Sequence, residues 1–71
     1  MHRLRINHAV DVERFCEFLR AVHVLVHEVE GAIVSASVPG APSALHERRE
    51  MTGYVTTWNA LNPGSVVELA E

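Results

Sequence analysis

With 48% hydrophobic and 21% charged residues among 71, the chain has the balance of one folded domain, 1–71, near the lower size limit for a core of its own. Its basic residues, all arginine, number 6 against 9 acids, and the formal charge of −3 excludes a protein held to nucleic acid mainly by phosphate contacts. One cysteine excludes an intramolecular disulfide and a thiolate metal cluster; "MHRLRINHAV" lacks the apolar stretch of a secretory signal and no apolar run could span a bilayer, so a cytoplasmic protein without membrane contact is expected.

Arg3 to Asn7 alternate in polarity, which predicts a first strand with Leu4 and Ile6 on one face. Asp11 is suited to cap a helix from about Val12 to about Arg20, because Val12, Phe15, Cys16, Leu19 and Val22 recur at helical spacing. Cys16 falls on the core side of that helix and reads as a buried small hydrophobe, with no base placed to activate it.

The segment "AVHVLVHEVEGAIVSASV" admits two readings. As a hairpin, a three-residue loop at Val29-Glu30-Gly31 pairs Val26 with Val34 and Val24 with Ala36, and places Gly31 where a left-handed residue is needed. As a helix, the first helix runs on to Glu30 with Gly31 as its cap, and no Gly, Pro or Asn near Arg20 interrupts it. The β-branched run of valines favours the hairpin.

Pro39 to Ser43 form a loop, and Ser43 caps a second helix whose stripe is Ala44, Arg48, Met51, Val55, Trp58 and Asn62. Tyr54 and Trp58 stand side by side at i and i+4, a pairing that belongs to the core margin. Gly53 within this helix suggests close approach of the first helix at Phe15 or Phe18, and Arg48 is placed to lay its stem across the neighbours of Trp58. Asn62-Pro63-Gly64 ends the helix, and Ser65 to Leu69 close the chain as a strand.

The predicted order is strand, helix, strand, strand, helix, strand. Right-handed crossovers then give a ferredoxin-like, split βαβ α+β fold (β-α-β-β-α-β), a four-stranded antiparallel sheet ordered 4-1-3-2 with two helices on one face. Heavy-metal-binding domains are similar in size and element order, but their Cys-x-x-Cys loop is replaced here by "NHAVDVE". RNA-recognition domains share the order too, and their central-strand aromatics are here Arg, Asn, Ile and Ser. Neither function carries over, and the regulatory amino-acid-binding domains of this topology have no motif here.

The face of the sheet turned away from the helices is the candidate interaction surface. It would carry Arg3, Arg5 and Asn7, then Ile33, Ser35 and Ser37, then His23, Leu25 and His27, with Val66 and Glu68 at the far edge. His23 and His27 are the weak metal candidates among five histidines. On a helix they would share a face at ligand spacing; on a strand they stand about 13 Å apart, too far for one ion at ~3.3 Å per residue. There is no phosphate loop, no paired-carboxylate site and no nucleophile with a base, so no catalytic residue and no cofactor are expected. The expected function is a non-enzymatic interaction module, a homodimer joined through its sheet. The alternative is a small-ligand or metal sensor using Arg3, Arg5, His23, His27 and Ser35. In the second helix, Tyr54 beside Gly53 is the position where a functional role is expected.

Overall fold

The computed structural model describes residues 1–70. In chain order the elements are β1 (His2–Ile6), a 3-10 turn (Ala9–Asp11), α1 (Val12–Ala21), β2 (Leu25–Glu30), β3 (Ile33–Ser37), α2 (Ala44–Leu61) and β4 (Val67–Leu69). The strands make one four-stranded antiparallel sheet in the order β2-β3-β1-β4. The fold is therefore α+β.

One core joins the sheet to both helices. Leu4, Ile6, Val34, Ala36 and Val67 point from the strands into a cluster with Phe15, Cys16 and Leu19 of α1 and Met51 and Trp58 of α2. Both helices consequently lie over the same side of the sheet. Trp58 is the hub: Phe15 meets it edge-on at 5.2 Å, Phe18 packs at 5.5 Å, and its indole N–H donates to the Ser65 carbonyl at 2.7 Å. The cation over its ring is Arg14, with Cζ 5.4 Å from the centroid, and not Arg48, which is exposed.

The α1 boundaries depart from the sequence reading in two respects. Asp11 stands at the N-cap position without capping; its Oδ1 instead accepts from Arg14 at 2.9 Å. At the other end, the helix stops at Ala21 although no glycine is present. The His23 N–H donates to the Arg20 carbonyl and the Val24 N–H to the Leu19 carbonyl, with His23 at φ 65°. This is a Schellman motif in which His23 takes the left-handed position usual for glycine, and buried Val24 packs near Leu19. Residues 21 to 30 thus divide between a helix end and a strand that starts at Leu25 instead of Val22.

The hairpin also corrects the expected register. Its loop is two residues, Gly31-Ala32, with Gly31 at φ 60° in the first central position, as a type II′ turn requires. Pairing then runs Glu30 with Ile33, Val29 with Val34 and Glu28 with Ser35, shifts at a bulge, and resumes with Val26 opposite Ala36. The physical reason is parity. Val26 and Val29 are three residues apart and would face opposite sides of a regular strand; one extra residue, His27, turns both to the helix side of the sheet, where Val26 packs on the core and Val29 stays exposed at the β2 edge.

In α2, the Ser43 hydroxyl accepts from the His46 N–H at 3.1 Å, the cap read from sequence. Gly53 does not serve close approach: nothing lies within 4 Å of where its Cβ would be. The strand β4 is shorter than Ser65–Leu69, because the turn after α2 runs through Ser65, whose N–H donates to the Asn62 carbonyl.

Candidate functional site

The helices leave the opposite face of the sheet bare, and the strand registers dictate what stands on it. Opposed residues of an antiparallel pair share a face, so partners of core residues are core and their neighbours are outward. Arg3 pairs with Ser35, and Ser35 with Glu28; Arg5 pairs with Ile33, and Ile33 with Glu30. Two rows result, Glu28–Ser35–Arg3 and Glu30–Ile33–Arg5, and the second continues to Glu68 on β4. Leu25, opposite Ser37, adds an exposed aliphatic at the β2 edge, and Val66 adds another beside β4.

Of the residues expected here, Arg3, Arg5, Leu25, Ile33, Ser35, Ser37 and Glu68 are brought together on this face by the pairing. Asn7 lies at its border, where its Oδ1 accepts from the Val66 N–H at 2.9 Å and helps line a shallow groove of about 190 Å³ with Arg5, Val66 and Glu68. His27 leaves the regular ladder at the bulge, its Nε2 2.6 Å from the Ser37 hydroxyl. His23 is not on the sheet at all but in the turn that ends α1. Tyr54 is on the other side of the sheet, half-buried against the core from α2. Glu28 and Glu30, absent from the sequence reading, reach the face because the bulge resets the alternation. The signal that pointed to them was the conflict in parity between Val26 and Val29.

The charges on this face are unevenly used. Arg5 donates to Glu68 at 3.2 Å, an exposed pair worth little by itself. Arg3, Glu28 and Glu30 have no ionic partner among the described residues. Between the flanking columns, Ser35 is only 9% exposed, a small side chain on a central strand with a longer neighbour on each side.

Glu47 in α2 accepts from the Val38 N–H at 2.9 Å and lies 3.2 Å from both His2 Nε2 and the Met1 amino group, tying α2 to the ends of β1 and β3. The Val38 hydrogen bond, helped by the Met1 and His2 charges, holds its carboxyl below the usual value despite the opposing effect of burial. A wide cleft of about 380 Å³ opens where Arg14, tied to Asp11 and Asn62, meets Val10 and Ser65. Cys16 is buried, and burial pushes its thiol up, away from the thiolate.

Among the described residues, no group of three or more His, Cys, Asp or Glu side chains is placed to hold a metal, and no helix is long and apolar enough to cross a membrane. The chain matches no family model, no curated protein and no solved structure.

Proposed function

We propose that the chain is a non-enzymatic interaction module of ferredoxin-like, split βαβ architecture that self-associates through the open face of its sheet, as a homodimer in a reducing cytoplasm. One observation carries the reading: a single uncovered sheet face holds exposed Leu25 and Val66, an Ile33 and Ser35 centre, and arginines and glutamates that mostly lack partners. A strongly acidic or basic partner would meet like charges somewhere on this surface, whereas a second copy supplies both signs. The sheet edges are poorer candidates. β2 is interrupted by the bulge at His27 and carries Glu28 and Glu30, and β4 is only 3 residues long.

Sedimentation equilibrium from about 10 µM to about 1 mM tests the reading, a range that covers weak association. The weight-average mass is expected to rise from 7.9 kDa toward twice that value. A monomer throughout the range would refute self-association.

A further inference from the structure

Resting on the self-association reading, we infer that the second copy docks face to face across a two-fold axis running along β3, with Glu28 of each copy over Arg3 of the other and Glu30 over Arg5. The strand order and the registers dictate this arrangement. On the open face the outward residues form columns: acidic on β2 (Glu28, Glu30), neutral on β3 (Ile33, Ser35), basic on β1 (Arg3, Arg5), and acidic again on β4 (Glu68). Neighbouring columns are about 4.8 Å apart, and packed sheets lie about 10 Å apart, within reach of opposed Glu and Arg side chains.

Few two-fold arrangements of such a face are possible, and the columns discriminate among them. An axis along β3 exchanges β2 and β1, so each acidic column covers a basic one. Because Glu28 and Arg3 share a row through Ser35, and Glu30 and Arg5 share one through Ile33, the charges also meet at matching heights. An axis across the strands at the same centre would set β2 on β2 and β1 on β1, opposing like charges. Shifting the lengthwise axis to lie between β3 and β1 would place β2 over β4 and bring Glu30 against Glu68. Shifting it to lie between β2 and β3 would cover the glutamates with Ile33 and Ser35, leaving charges without partners. Only the β3 axis satisfies both columns, and it places Ile33 against its own counterpart at the centre.

The overlap is three strands wide. At ~4.8 Å per strand and ~3.3 Å per residue its footprint is roughly 240 Å², small against the ~800 Å² per partner of a standard interface. The contact is therefore weak and transient, and its charge pairs, being only partly desolvated, act mainly on specificity. The β4 side of the face, with Val66 and Glu68, projects beyond the partner and stays open.

Charge reversal tests the arrangement. Glu28→Arg and Arg3→Glu are made separately, at exposed positions outside the intramolecular Arg5–Glu68 pair. Each variant alone opposes like charges twice by symmetry, and its dimerisation should weaken by about tenfold or more. An equimolar mixture of the two should recover association to near the wild-type level, because each variant then meets opposite charge at both sites, and the double variant E28R/R3E should recover it as a homodimer. Raising salt from about 0.05 M to about 0.5 M should weaken the wild-type complex. A wild-type protein that stays monomeric overturns the self-association reading and this inference with it. A wild-type dimer that neither reversal weakens, or single variants that fail to recover on mixing, overturns the inference alone and leaves self-association by another surface.

Discussion

The left-handed residue at the end of α1 offers a direct measurement of local strain. Replacing His23 with glycine leaves the Schellman hydrogen bonds, His23 N–H to Arg20 and Val24 N–H to Leu19, in place at 3.0 and 2.9 Å. It removes the clash between Cβ and backbone that a φ of 65° imposes on an L-residue, worth about 1–2 kcal/mol. Glycine gives back part of this through the greater freedom of its unfolded chain, about 0.5–1 kcal/mol. The net expectation is a stabilisation of about 0.5–1 kcal/mol. For a domain of 60–100 residues that shifts the melting temperature upward by roughly 2–8 °C. His23 is exposed, with no hydrogen-bonded partner for its ring among the described residues, so the imidazole itself contributes little. His23→Ala is the control: it removes the ring and keeps the Cβ, and should not stabilise. Urea unfolding of the three proteins, followed by far-ultraviolet circular dichroism, reads both effects. Equal stabilisation by alanine and glycine would refute the backbone argument, and destabilisation by glycine would show that α1 does not end in this conformation.

Two further substitutions probe α2. Gly53→Ala should stabilise the chain by about 0.5–1 kcal/mol, because the site is helical, exposed and empty around the added methyl; a loss in urea midpoint would mean that something packs there. Glu47 has its carboxyl held below its ordinary 4.5, so its contribution is present above that unfolded value and lost as pH falls through the lower folded one. Glu47→Gln should therefore be less stable than wild type near neutral pH, by about 1 kcal/mol for a charge-assisted hydrogen bond exchanged for a neutral one. The gap in urea midpoint should close on acidification; a gap independent of pH would refute the account.

Helix periodicity and turn chemistry carried most of the architecture into the sequence: the apolar stripe of α1, the Ser43 cap, the Asn62-Pro63-Gly64 stop and the alternation of β1 all have local causes. What was not legible had non-local causes. His23 carries no signal as a helix terminator, because a histidine adopts the left-handed region only when burial of Val24 against Leu19 rewards the reversal. The hairpin loop has a related non-local cause. A three-residue loop and a two-residue loop plus a bulge both keep Val26 on the core side, and they differ in whether Glu28 stands on that side too or on the open face. Gly53 misled in the opposite direction, since a glycine within a helix implies a neighbour only where one exists. The open face was legible through its arginines and serines and incomplete without its glutamates, and Tyr54 was separated from it by the whole thickness of the sheet.

The bulge connects these levels. Without an extra residue in β2, a strand keeping Val26 on the core would turn Glu28 to the helix side as well, at the cost of desolvating a charge. With His27 inserted, Val26 keeps its place on the core, and Glu28 and Glu30 are delivered together to the open face as one acidic column. The same insertion breaks the outer ladder of β2, the longer of the two edge strands, and so discourages pairing through the edge. A device that keeps Val26 on the core thus also sets the charge pattern of the open face. The displaced His27 is tied back to the sheet by its contact with the Ser37 hydroxyl at 2.6 Å. Which charges stand on the open face follows from one residue of register.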